Sequence, residues 1–191
     1  MKNFLFIIII SAVLILIYSF KNKENNIEKE HYIILKKIGN IEIREYNESV
    51  NASYYSNQET ERNNYFKNLA AYIFGDNTEE VSIAMTSPVT MRLYGNREMI
   101  FRMPSNYTLN NLPKANNSKI NFITIASCTK AAIQYSGYSN KNVEEKKIQE
   151  LKNILERENI KHDNKFELLV YNSPFEILNR RNEITINIIY P

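Results

Sequence analysis

The chain has 191 residues, with 24 basic and 21 acidic side chains, a net charge of +3, two histidines and a single cysteine. Beyond a hydrophobic head that leaves one ordinary domain, large enough to bury a core, and Cys128 has no partner for an internal disulfide. The charges are interspersed, with no basic stripe or reading motif, which excludes a typical nucleic-acid binder, and four glycines leave almost no room for a phosphate-cradling loop.

Residues 4–20, FLFIIIISAVLILIYSF, carry no charge. At 1.5 Å per residue a helix of this length reaches about 25 Å, enough to cross a hydrocarbon core. The run ends in Tyr18, Ser19, Phe20 and Lys21, a poor cleavage site, so an uncleaved anchor is expected over residues 1–20 rather than a signal peptide. Lys21, Lys23 and Lys29 outnumber Lys2, which favours a cytoplasmic domain on a single-pass protein. A signal peptide would make it lumenal or secreted, with glycosylation candidates at Asn47, Asn51, Asn106 and Asn116. Residues 21–38 read as a polar tether, and 39–191 as the domain.

Within it, IEIREY (41–46) alternates like a strand, and a second strand runs over 50–55. From Gln58 to Phe74 the period becomes helical: Phe66, Leu69, Ala70 and Ile73 fall at i, i+3, i+4 and i+7, and Gly75 stops the helix. Strands are expected at 81–85, 89–94 and 99–103, the last two joined at Gly95 and Asn96, with Met99, Phe101 and Met103 on one face. After a polar loop come strands at 120–126 and 131–136. Asn142 then caps a second helix, with Glu145 three residues on. Its inner stripe is Ile148, Leu151 and Leu155, and Glu144, Glu145, Lys146, Lys152 and Arg157 form its solvated face. Strands follow at 166–171 and 183–189, where Ile184, Ile186 and Ile188 face one way and Thr185 and Asn187 the other.

The fold class expected is therefore α+β. Ser87-Pro88 recurs as Ser173-Pro174, each after a strand. A duplicated β-α-β-β unit results, its two copies forming a curved antiparallel sheet or distorted β-barrel with two main helices. A groove between the copies is where a small ligand would sit.

These segments together resemble the SOUL haem-binding protein family. The matching stretches are IEIREY (41–46), LAAYIFG (69–75), MTSPV (85–89), FRMP (101–104), YSGY (135–138), and YNSP (171–174) with RRNEI (180–184). They keep the family's order and cover nearly all of residues 38–190. The resemblance implies a GyrI-like ligand-binding fold, non-covalent binding of haem or another porphyrin, and no catalytic centre. Some members carry a histidine after the arginine of the first-strand motif as a proposed iron ligand. That position is Glu45 here, so no axial ligand is assigned and no protein metal site is expected.

Haem offers an apolar face and two anionic propionates, so a carrier needs a greasy wall and cations at its rim. The expected wall is Phe66, Leu69 and Ile73 on the first helix with Phe175 and Leu178 after Ser173. The expected cations are Arg180 and Arg181, with Arg62 or Lys67 on the helix. His31 in the tether and His162 after the second helix read as ordinary surface histidines. The leading expectation is a membrane-anchored tetrapyrrole carrier or buffer, and the alternative is a ligand-free interaction or regulatory module on the same fold. An enzyme built on Cys128 and His162 is not expected, because Cys128 lies in a strand run without a helix N-terminus or glycine elbow to activate it.

Overall fold

Apolar and polar residues alternate along most strands here, and strand pairing turns that alternation into two different sheet faces. The structure, a computed structural model, describes residues 31–56, 64–95, 97–173, 176 and 180–190. The elements are β1 (Tyr32–Ile38), β2 (Ile41–Tyr46), β3 (Ser49–Tyr54), α1 (Tyr65–Ile73), β4 (Val89–Arg92), β5 (Met99–Arg102), β6 (Ile120–Ile125), β7 (Cys128–Ser136), α2 (Lys141–Arg157), β8 (Lys161–His162), β9 (Glu167–Val170) and β10 (Arg181–Ile189). The chain divides into two compact units, residues 1–33 and 34–191, and every element from β2 onward lies in the second.

The strands form one antiparallel sheet in the order β1-β2-β7-β10-β9-β4-β5-β3-β6, with β8 paired to the end of β10. The path runs from β1 to β6 without closing, which corrects the barrel to an open sheet. From the β9–β4 junction the order reads β9-β10-β7-β2 one way and β4-β5-β3-β6 the other. In each half the third strand, β7 or β3, leads into a helix. The Ser-Pro pairs do not mark equivalent points in this plan: Ser87-Pro88 enters β4, whereas Ser173 follows β9.

The register builds an apolar row straight across eight strands: Ile41, Ile133, Ile184, Leu168, Met91, Met99, Tyr54 and Ile120 are successive partners. Both helices pack on this face. Leu151, Ile154 and Leu155 of α2 join Ile41, Ile133, Ile184 and Ile186 in one core cluster. Leu69, Tyr72 and Ile73 of α1 join Tyr54, Phe101, Met103 and Ile120 in the other. Each fully buried aliphatic side chain contributes roughly 1.5–3 kcal/mol, so packing rather than propensity holds the nine-residue α1 in place.

Several expectations change. Helix α1 starts at Tyr65, and residues 58–63 of the predicted helix lie outside the described residues. Residues 81–85 form no strand. The cap of α2 is Asn140, whose Oδ1 accepts from the Val143 backbone N–H at 3.1 Å, not Asn142. Glu144 is buried rather than solvated, because Arg97 and Ser139 both donate to it, at 3.1 and 3.0 Å. Residues 32–38 form β1, inside the stretch read as tether. The expected single-pass membrane location with a cytoplasmic domain must also be corrected. Among the described residues no helix is long and apolar enough to cross a membrane, and residues 4–20 lie outside them.

Candidate functional site

The sheet face without helices is polar, and its centre is filled by the protein's own charges. Arg44 on β2 and Glu183 on β10 are not neighbours, since β7 runs between them. In the register the small Ala132 lies between their positions, and the guanidinium crosses over it. Arg44 donates to both Glu183 oxygens at 2.6 and 3.0 Å, to Glu42 at 2.9 Å and to the Tyr46 hydroxyl at 3.2 Å. Glu183 accepts further from the Tyr171 hydroxyl at 2.9 Å and from Arg181 at 2.7 Å. Burial would raise the Glu183 carboxyl, but the Arg44 and Arg181 guanidiniums outweigh it and hold the group below the usual carboxylate range. Nearer the other end, Lys130 donates to Glu167, and burial's pull on the ammonium is overcome by that carboxylate, so it stays charged.

Two cavities open among the described residues. One, about 200 Å³, lies on this polar face beside Glu42, Arg44, Ala132 and Gln134. The other, about 250 Å³, is lined by Tyr54, Asn64, Lys67, Asn68, Asn117 and Lys119 at the start of α1. Both are smaller than the roughly 300–1,000 Å³ of a drug-sized pocket and are mostly polar, so neither suits a flat macrocycle.

An apolar surface lies at the outer edge of α1, and Ile33, Ile34 and Leu35 at the β1 edge are exposed as well. Phe66 and Phe74, eight residues apart with the buried Ala70 between them, lie beside the buried stripe and next to the exposed Lys67. Phe66 is half-buried, edge-on to Phe101 at 5.4 Å, and Phe74 is 67% exposed. The helix ends at Gly75, whose φ of +109° a side chain would strain. A turn comes next, built round the buried Asn77. Its Nδ2 donates to the Tyr72 and Val81 carbonyls at 3.0 and 2.8 Å, and its Oδ1 accepts from the Glu79 and Val81 backbone N–H groups at 3.2 Å each. The Ile83 N–H then donates to the Ile73 carbonyl at 2.7 Å, tying residues 81–85 along the helix end. Val81 (39%) and Met85 (46%) are left exposed there. Ser87 Oγ donates to the Tyr171 carbonyl at 3.0 Å, which fixes the root of the β9–β10 loop to the same segment. Phe74, Val81 and Met85 are thus left exposed on either side of a turn bonded through Asn77.

The expected site residues divide. Leu69 and Ile73 are wholly buried core, while Phe66 reaches the edge. Arg180 is buried, donates to the Ser173 and Glu176 carbonyls at 2.9 and 2.8 Å, and stacks on Tyr138 at 4.6 Å. Arg181 bonds Glu183 and stacks on Tyr171 at 4.1 Å. Arg62, Phe175 and Leu178 lie outside the described residues. Phe74, Val81 and Met85 were missed. The i+8 spacing of Phe74 from Phe66 could have found the first; the others emerge only from the turn. Burial pushes the Cys128 thiol up, against a smaller pull from Lys130, the opposite of what a thiolate nucleophile needs.

An open antiparallel sheet of two similar halves, with a helix packed on each, is the GyrI-like fold. The C-terminal domain of EcmrR superposes with a TM-score of 0.59 at 13% identity, over 79% of this chain and 98% of that one. A protein from Listeria innocua described as a hydrolase gives 0.58 at 12%, over 89% and 98%, and an uncharacterized conserved protein from the same organism gives 0.58 at 10%, over 78% and 92%. At such identities the likeness is one of fold. No curated protein matches the chain. The family model for SOUL heme-binding proteins matches residues 27–187, and the chain belongs to that family.

Proposed function

We propose that this domain binds haem or another tetrapyrrole non-covalently, as a carrier or buffer, against the ledge formed by Phe66, Phe74, Val81 and Met85. One observation carries the reading: a member of a heme-binding family leaves Phe74, Val81 and Met85 exposed on either side of the turn that Asn77 bonds. An apolar shelf suits a porphyrin face, and Lys67, exposed beside Phe74 on the helix wheel, supplies a cation for a propionate. Leu69 and Ile73 support the shelf from beneath. Phe175, Leu178 and Arg62 belong to the proposed wall and rim, and Arg180 acts there through its bonds to the Ser173 and Glu176 carbonyls, with Arg181 held on Glu183. The duplication of one β-α-β-β unit belongs to the same proposal, supported by the mirrored strand order.

Titrating the full chain with haemin and following the Soret band tests this. A saturable one-to-one shift is expected, weakened about tenfold or more by Phe74→Asp or Val81→Asp and less by Lys67→Glu. A non-saturating response like that of an unrelated protein defeats it.

The second reading, a ligand-free interaction module, is favoured by one specific observation. Arg180 and Arg181 are engaged with loop carbonyls, Glu183 and aromatic rings rather than turned toward a ligand. A wild-type chain that shows no saturable haemin binding would leave this reading standing, whereas haemin affinity untouched by Lys67→Glu and Phe74→Asp would only move the site away from the ledge.

A further inference from the structure

We propose that β1 is a self-association edge, and that its occupant is β1 of a second copy of this chain, paired antiparallel about Ile34. β1 is the first strand of an open sheet. It pairs with β2 on one side and, among the described residues, with no strand on the other, so its outer side is a template for another strand. Ile33, Ile34 and Leu35 stand exposed in a row along it, at 59, 44 and 47%. The opposite edge differs. β6 carries no exposed large apolar side chain, and its Ile120 and Phe122 pack with the core cluster that contains α1.

The strand's own sequence selects a second copy as the partner. Tyr32-Ile33-Ile34-Leu35-Lys36 is self-complementary when the copies run antiparallel with Ile34 opposite Ile34. Ile33 then meets Leu35 of the other copy, and Lys36 lies opposite Tyr32, an ammonium beside an aromatic ring. The two Lys36 residues fall four positions apart, about 13 Å along the strands, so like charges are not opposed. Lys37 is already held by Glu42 of its own sheet at 2.8 Å. Centring the pair on Leu35 instead would set Ile33 against Lys37 and Ile34 against Lys36, leaving one apolar pair. The faces agree as well. Ile38 packs in the cluster under α2, whereas Lys37 bonds Glu42 beside Arg44 on the face without helices. Alternation therefore puts Ile34 and Lys36 on the α2 side and Ile33 and Leu35 on the other. In this register partners share a side, so the two sheets join into one with both α2 helices on the same side. Pairing of like edges about a twofold axis closes at two copies.

The test is disulfide trapping in the full chain carrying Cys128→Ser. Ile34→Cys places two thiols at the twofold axis, with Cβ atoms about 4.5–5.5 Å apart, which a small shift brings within disulfide reach. Lys36→Cys, two residues on along the same face, leaves them too far apart. Mild oxidation should cross-link Ile34→Cys into a dimer at least about tenfold faster than Lys36→Cys. In sedimentation the unmutated chain should run as a dimer, and Ile34→Lys, which opposes two ammonium groups, should split it without changing the circular dichroism, because Ile34 is exposed. An unmutated chain that runs as a monomer would leave the edge to a strand of a different protein and overturn the proposal. Equal cross-linking at both positions, or a dimer that survives Ile34→Lys, would overturn it too.

Discussion

Arg44 and Glu183 meet across an intervening strand, 139 residues apart in sequence, through two hydrogen bonds of 2.6 and 3.0 Å on a face that no helix covers. Arg44 is 2% and Glu183 0% exposed, so each is the other's main compensation for lost water. Replacing Arg44 with methionine should destabilise the domain by about 3–5 kcal/mol, read from urea unfolding, because Glu183 keeps only Arg181 and Tyr171. Arg44→Met combined with Glu183→Leu should lose much less. An equal loss in both would mean that packing, not the unpaired charge, sets the effect.

The same pair fixes how stability responds to acid. Burial alone would raise Glu183 and Glu42, but Arg44, joined at Glu183 by Arg181 and at Glu42 by Lys37, holds both below their ordinary value of 4.5. A depressed carboxylate contributes stability that is fully present above the unfolded value and lost as pH falls through the folded one. Thermal midpoints should therefore be flat from neutral pH to about 5 and fall below about 4.5, and Glu183→Gln should flatten that fall.

The ledge and the core beneath it should separate by experiment. Leu69→Ala should cost about 2–5 kcal/mol of stability, since Leu69 is wholly buried. Phe74→Ser should leave the unfolding midpoint within about 0.5 kcal/mol and act on haemin binding alone. The reverse pattern would make Phe74 structural and remove it from the site.

Asn77 is the one residue on which the ledge depends without belonging to it. Asn77→Ala removes the Asn77 bonds from the Val81 carbonyl and the Glu79 and Val81 N–H groups, and leaves the Tyr72 carbonyl with the long 3.4 Å bond from the Gly75 N–H. It should destabilise the domain by about 1–3 kcal/mol and raise hydrogen exchange at residues 77–83. Protection unchanged there would show that Gly75 and the Ile83 bond hold the turn by themselves.

Tyr72 carries a phenol that burial pushes up to about 12, and it donates to the Pro113 carbonyl at 3.0 Å. In an alkaline absorbance titration Tyr72→Phe should therefore remove one late-ionising tyrosine step. It should also cost roughly 1–3 kcal/mol, because the carbonyl loses its donor.

Sequence alone determined the α+β class, the family, the two helical stripes and the faces of the strands, because periods of 2 and 3.6 and short motifs are local. Ile184, Ile186 and Ile188 had to share a face, and Leu69 with Ile73 had to be buried. What it could not decide was whether a buried stripe would be core or wall. Leu69 and Phe66 lie on adjoining parts of one helix, and only the sheet's position divides them. Nor could it pair Arg44 with Glu183, or give Arg180 and Arg181 their loop-carbonyl and Glu183 partners, since these depend on which strand lies between which. The open sheet, in place of a closed barrel, was likewise settled by pairing at its ends. So was the exposure of Met85, which rests on hydrogen bonds from Asn77 and Ile83 to a helix end that no local pattern announces.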